Sequence, residues 1–172
     1  GGSCFPKDVR ALIDTGKKAG TDLMLLQATD DVNERQKTII ATRLKERFGS
    51  LEGMKITLWG LSFKPRTDDV RRAPSIKLID DLASKGAEIT AFDPVAEKNA
   101  RAATSVNFKS TESAMEAVQG ADAMILVTEW NEFKSANLKE LKMAMKQPIV
   151  FDGRNMFDPK AMKAEGFEYY NI

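Results

Sequence analysis

Chemistry-bearing residues crowd the start of the chain, where Gly1-Gly2-Ser3-Cys4-Phe5-Pro6-Lys7-Asp8 places its one cysteine at the edge of an expected helix. Pro6 suits the first helical position, whose N–H has no intrahelical partner anyway, and Asp8 falls in the first turn, where a carboxylate suits the dipole. Cys4 then stands just outside the helix, near its partial positive charge and close to Lys7. Both influences favour thiolate, and the thiolate is the nucleophile. A lone cysteine elsewhere is usually a small buried hydrophobe; this setting favours the reactive reading. The preceding glycines would let backbone pass close to a bound ligand.

A second constellation is the segment Gly60-Leu61-Ser62-Phe63-Lys64-Pro65-Arg66-Thr67-Asp68-Asp69-Val70-Arg71-Arg72-Ala73-Pro74. It is longer than an ordinary strand-to-helix loop, and long loops in compact domains tend to be functional. Its cations and the helix start at Pro74-Ser75 suit an anion such as phosphate. Alternatively, Arg66, Asp68, Asp69, Arg71 and Arg72 form a solvated, self-neutralising charge run. Further on, Phe151-Asp152-Gly153-Arg154-Asn155 presents Arg154 from a tight turn. That guanidinium could clamp a hydroxyl or phosphate, or be structural. The aromatics of Thr128-Glu129-Trp130-Asn131-Glu132-Phe133 read as core or lid packing.

Positioning these groups requires a regular framework. The first helix is expected from Pro6 to Lys18, with Val9, Leu12 and Ile13 on one face and Gly20 as its stop. A second is expected from about Asp22 or Thr29 to Phe48, where Val32, Gln36, Ile40, Leu44 and Phe48 form a row. Nothing in that segment covers the apolar stripe, so it is expected to pack on another domain or on a partner chain. From Met54 the texture becomes strand-helix alternation. Strands are expected at 55–61, 88–92, 106–109, 123–128, 149–151 and 168–170, with helical stretches near 75–85, 95–103, 111–119, 137–145 and 158–164. Such alternation means a doubly wound, mainly parallel α/β sheet of about six strands, here preceded by a helical connector.

In such sheets ligands bind beyond the carboxyl ends of the strands, where both long segments fall. The glycine fingerprint of dinucleotide folds is absent after Gly60, so this unit should not grip a pyrophosphate in the usual way. Asp93, at the end of the second strand, could hold a ribose, but a turn-capping role before Pro94 is preferred. The expected organisation is 1–50 for the cysteine loop and central helices and 51–172 for the α/β domain.

Composition narrows the classes. Lysines and arginines number 26 against 25 acidic residues, leaving no net field to attract nucleic acid or an anionic membrane. No run approaches a membrane span; a single cysteine without histidine excludes a disulfide framework and histidine-based acid–base catalysis within this chain and argues against a zinc site. A reducing, cytoplasmic setting fits. The chain also opens inside the cysteine loop without a methionine, and is expected to be part of a longer protein.

The motifs GGSCFPKD (1–8), GLSFKPRTDDVRRAPS (60–75), FDP (92–94), TEWNEF (128–133) and FDGRN (151–155), in this order across the chain, resemble the UDP-glucose/GDP-mannose dehydrogenase family. The resemblance implies an NAD-dependent enzyme with a Rossmann NAD domain, a long connecting helix and a domain holding the UDP-sugar. This sequence resembles the last two, with the NAD domain absent. UDP-glucose would be oxidised twice at C6 to UDP-glucuronate, with Cys4 forming a thiohemiacetal and then a thioester, and Asp8 handling the proton of the hydrolytic water. Gly1, Phe5, Phe63, Lys64 and Arg154 would contact the sugar nucleotide, while Lys7 and Arg71 would approach the NAD. Homodimerisation through the connecting helix is implied as well. Trp59 and Ser62 stand where smaller or more apolar residues are common. GDP-mannose and UDP-N-acetylhexosamine enzymes share the cysteine chemistry, and a non-catalytic binding or dimerisation module is the competing reading.

Overall fold

A computed structural model describes residues 4–172, with only the backbone described at Cys4. Six strands form one parallel sheet: β1 (Lys55–Trp59), β2 (Glu88–Phe92), β3 (Lys109–Ser110), β4 (Ala123–Leu126), β5 (Ile149–Asp152) and β6 (Glu168–Asn171), in spatial order β3-β2-β1-β4-β5-β6. Alternate residues of each strand serve opposite faces. Ile56, Leu58, Ile125 and Phe151 enter one core, whereas Trp59, Met124, Leu126 and Val150 enter the other. Both faces are therefore covered, as buried runs such as Ala-Met-Ile-Leu in β4 require.

The first core takes α3 (Ile39–Phe48), α4 (Pro74–Ala83) and α5 (Glu97–Ala103), through Leu44, Leu78, Leu82 and Ala100. The second takes α6 (Ala114–Ala117), α7 (Asn131–Lys134), α8 (Leu138–Ala144) and α9 (Pro159–Ala164), through Ala117, Phe133, Leu141 and Met162. Trp59 is fully buried there, stacked on Phe133 at 5.0 Å, and its indole N–H donates to the Ala114 carbonyl. This is the expected doubly wound α/β sheet behind a helical connector. Among the described residues no helix is long and apolar enough to cross a membrane.

The connector departs from expectation in three ways. The helix α1 (Cys4–Lys18) already includes Cys4, so the cysteine is its first residue and does not flank it. Pro6 remains tolerated, because the first four N–H groups of a helix lack partners. Leu12 is 52% exposed while Ile13 is buried, so the apolar face is narrower than Val9, Leu12 and Ile13 together. The long second helix is two helices, α2 (Met24–Gln36) and α3, parted at Lys37-Thr38. There the Lys37 and Thr38 N–H groups bond three residues back, and the Thr38 hydroxyl caps the Arg35 carbonyl. That local bond competes with helix continuation.

The largest correction concerns the row Ile40-Leu44-Phe48. Ile40 and Leu44 are buried in this chain's own core, with Phe48 packed against it, so no partner is needed to cover them. Gly153 allows this approach: a Cβ there would lie 2.9 Å from Ile40 Cδ1. Another close approach is at Gly60, which has φ +95° and would place a Cβ 2.4 Å from Thr128 Cβ. Gly60→Ala is expected to destabilise the fold by about 2–4 kcal/mol, from strain plus overpacking. Chemical denaturation reads that loss, and an unchanged midpoint would contradict it.

Candidate functional site

The carboxyl ends of β1, β4 and β5 converge on one mouth. Beyond β1, the Gly60 N–H donates to the Phe92 carbonyl, and the Val127 N–H to the Trp59 carbonyl, each at 2.8 Å. The Thr128 hydroxyl donates to the Ser62 carbonyl at 2.5 Å. The Ser75 hydroxyl bonds the Leu61 carbonyl, pinning the start of α4 to the same loop. The space where a dinucleotide fold places its phosphate turn is thus packed with this chain's own groups.

Asp93 completes that closure. Its carboxylate is 6% exposed, and Oδ2 accepts from the Leu61 N–H (2.7 Å), the Ser62 N–H (3.0 Å) and the Trp130 indole N–H (3.1 Å). Oδ1 accepts from the Val95 and Ala96 N–H groups. The turn-capping role expected for Asp93 is what the geometry gives, and it also reaches the β1 and β4 loops. With both loop N–H groups taken, little is left to cradle a pyrophosphate.

Phe63, Lys64 and Arg154 are brought together. The Arg154 Nη2 donates to the Phe63 carbonyl and its Nε to the Val127 carbonyl, both at 2.6 Å, with Glu129 Oε2 lying 3.1 Å from Nε. Arg154 therefore braces three strand ends while remaining 27% exposed. Lys64 Nζ lies over the Phe63 ring at 5.4 Å, keeping a cation beside a half-buried aromatic face. Beneath Arg154, buried Asp152 accepts from the Arg154, Met156 and Phe157 N–H groups and from the Tyr169 hydroxyl at 2.7 Å. Burial first, then the Asp152 carboxylate, holds the Tyr169 phenol well above its usual range, so it stays a donor. Asp152 was not singled out from sequence, although Asp-Gly-Arg is the spacing of a side chain that accepts from the N–H two residues on.

The residues expected to touch a dinucleotide or to act beside Cys4 make contacts of their own. Lys7 and Asp8 are exposed, with Nζ and Oδ1 3.6 Å apart. Arg71 is bidentate to Asp69 at 3.0 and 2.8 Å, and this guanidinium holds the Asp69 carboxyl below its ordinary range. The charged loop is thus partly self-neutralising. Phe5 is 76% exposed. Gly1 lies outside the described residues, as does the Cys4 side chain. One side chain borders both groups: Asn33 lines a cavity of about 140 Å³ with Phe5, Pro6 and Asp30, and another of about 150 Å³ with Lys37, Pro74 and Arg154.

Residues 57–159 match the UDP binding domain of the UDP-glucose/GDP-mannose dehydrogenase family, and residues 1–35 match its central domain. The chain is 42% identical over 178 residues to a UDP-glucose 6-dehydrogenase of Pseudomonas aeruginosa, covering all of this chain and 39% of that protein. It superposes with a TM-score of 0.83 on a UDP-glucose dehydrogenase from the archaeon Pyrobaculum islandicum, at 30% identity over 99% of this chain and 37% of the other. A UDP-D-ManNAc dehydrogenase from Pyrococcus horikoshii gives 0.82 at 29% identity, over all of this chain and 38% of the other. The chain spans about two-fifths of the length of the curated relatives it matches.

Proposed function

Since the chain belongs to the UDP-glucose/GDP-mannose dehydrogenase family, we propose that its sandwich holds UDP-glucose and its leading helix supplies the nucleophile that carries C6 to UDP-glucuronate. The observation that carries this reading is the convergence at the strand ends of a half-buried aromatic, Phe63, with two cations, Lys64 and Arg154, a set suited to a base or sugar face beside phosphate or hydroxyl. Residues 51–172 then form the sugar-nucleotide lobe, and 1–50 the cysteine loop and connector.

Cys4 opens a helix of 15 residues, where unbonded N–H groups and the dipole favour thiolate. The thiolate adds to the C6 aldehyde carbon, making a C–S bond while the carbonyl oxygen takes a proton. Once that adduct is oxidised to a thioester, water attacks the acyl carbon, Asp8 accepts its proton, the C–S bond breaks and the thiolate is regenerated. The product leaves as a carboxylate. The oxidations need a hydride acceptor, which the family resemblance makes NAD. The described residues do not fit that group as a dinucleotide fold would, because Asp93 takes the N–H groups of the β1 turn. Lys7 and Arg71 would at most meet it from one side. These 172 residues alone are accordingly expected to yield no NADH from UDP-glucose, which absorbance at fixed enzyme and cofactor would check.

Self-association remains part of the proposal on a different surface: Leu25 and Val32 of α2 are 85% and 48% exposed, unlike Ile40 and Leu44. A cytoplasmic setting also remains proposed, from the single cysteine.

Titration calorimetry tests the ligand. UDP-glucose is expected to bind the chain, and Arg154→Lys to weaken it about tenfold, since an ammonium cannot reproduce the planar fork. Equal binding by the variant would remove Arg154 from the site, and silence with UDP-glucose, UDP and GDP-mannose would remove the lobe. The likeness to a UDP-D-ManNAc dehydrogenase supports a second substrate, so stronger heat with a UDP-N-acetylhexosamine would reassign the sugar.

A further inference from the structure

We propose that Glu34 is a positioning residue that holds the cysteine-bearing hairpin of α1 and α2 in register with the ligand loop after β1. Its functional meaning rests on the sugar-nucleotide reading, whereas its geometry stands independently. The covalent link from α2 to the sandwich is the turn at Lys37-Thr38, and α2 itself has no buried residue. A hairpin joined in this way needs a second tether to keep one orientation.

Glu34 provides that tether. It lies in the last turn of α2, and its Oε1 faces cations from three segments. Arg10 Nη2 of α1 lies at 2.7 Å, Lys37 Nζ of the turn at 2.8 Å, and Arg72 Nη2 of the β1 loop at 3.5 Å. Arg10 also donates through Nε to Asp30 at 2.6 Å, fixing its guanidinium plane between two carboxylates of α2. Lys37 first, then Arg10 and Arg72, keep the Glu34 carboxyl below its ordinary range, so it is ionised at neutral pH. Arg72 belongs to the loop that carries Phe63 and Lys64, and it holds φ +58°, a conformation a non-glycine residue keeps only when its surroundings impose it.

Around this tether the packing is open. A cleft of about 340 Å³ is bordered by Glu34, Arg72 and Lys77, and one of about 150 Å³ by Lys37, Pro74 and Arg154. The hairpin end therefore meets the sandwich across gaps that a directional charge contact can span. Partly exposed ion pairs add little to global stability. Removing Glu34 should change the relative placement of the two parts while leaving the fold intact.

The experiment measures that placement. In a Cys4→Ser background, spin labels at Thr15→Cys on α1 and Lys139→Cys on α8 report the hairpin-to-sandwich distance by double electron–electron resonance. The parent should give one narrow distribution. Glu34→Gln and Arg72→Gly should each widen it about twofold, with Glu34→Asp intermediate and urea midpoints unchanged. In the chain with native Cys4, UDP-glucose should slow cysteine alkylation, and Glu34→Gln should lose that protection while calorimetric affinity stays within about twofold. Unchanged widths in both variants would overturn the tether whatever the ligand does. Widened distributions in a chain whose Cys4 UDP-glucose never protects would leave the tether standing and overturn the sugar-nucleotide reading.

Discussion

Asp93→Ala is expected to lower stability by about 3–5 kcal/mol, the cost of removing one side of a buried charged hydrogen-bond cluster. The carboxylate collects N–H groups from three segments: Leu61 and Ser62 after β1, Val95 and Ala96 before α5, and the Trp130 indole after β4. Alanine leaves those donors facing a small apolar void. Asp93→Asn keeps one acceptor but turns an NH₂ toward other donors, so a smaller loss of about 2 kcal/mol is expected. With a urea slope of about 2 kcal/mol/M, alanine should bring the midpoint down by roughly 2 M. A fall below about 0.5 M would show that the cluster does not clasp the loops. The prediction bears on function, because the same clasp shapes the loop that presents Phe63 and Lys64.

Cys4→Ser, in a family-length protein carrying these residues, is expected to reduce UDP-glucuronate formation by at least about 1,000-fold, the scale on which removal of a covalent nucleophile acts. A serine hydroxyl at the same helix start is a poor nucleophile at neutral pH, so an aldehyde formed in the first oxidation is no longer captured. Affinity for UDP-glucose should remain within about twofold, since the proposed contacts of Phe63, Lys64 and Arg154 are left unchanged. Asp8→Asn should fall between, at about 100-fold, as expected for a group that only moves a proton. Product chromatography beside calorimetry separates these effects. A serine variant retaining more than about a tenth of the turnover would exclude the covalent route.

Much of the sandwich was legible because strands buried on both faces read as short apolar runs. β2 falls at 88–92 as expected, and the other central strands differ only at their ends. The expected strand at 106–109 overlaps the observed β3, Lys109–Ser110, only at Lys109, with the Val106 N–H held by the Thr104 hydroxyl. The short helix α7 was missed, since four residues carry no periodicity. The break between α2 and α3 was invisible because neither glycine nor proline marks it. The apolar row through Ile40 and Leu44 was read correctly as a buried surface, but its cover lies in elements far along the chain, which periodicity cannot identify. At the site, the missing glycine fingerprint and the Asp93-Pro94 step point to a capping role for Asp93, and the fold gives that role. Spacing alone does not decide the role of Arg154, whose bracing bonds to the Phe63 and Val127 carbonyls depend on loops from three strands meeting. Glu34 lay within an ordinary helical charge pattern, and only the fold brings Arg10 and Arg72 to it.

The most direct measurement is the mass of the peptide bearing Cys4 after a family-length protein containing these residues is mixed with UDP-glucose and NAD and quenched in acid during turnover. The account predicts an added sugar-nucleotide acyl group on that one peptide, lost on treatment with hydroxylamine. An unmodified Cys4 peptide throughout steady turnover, with UDP-glucuronate accumulating normally, would contradict it.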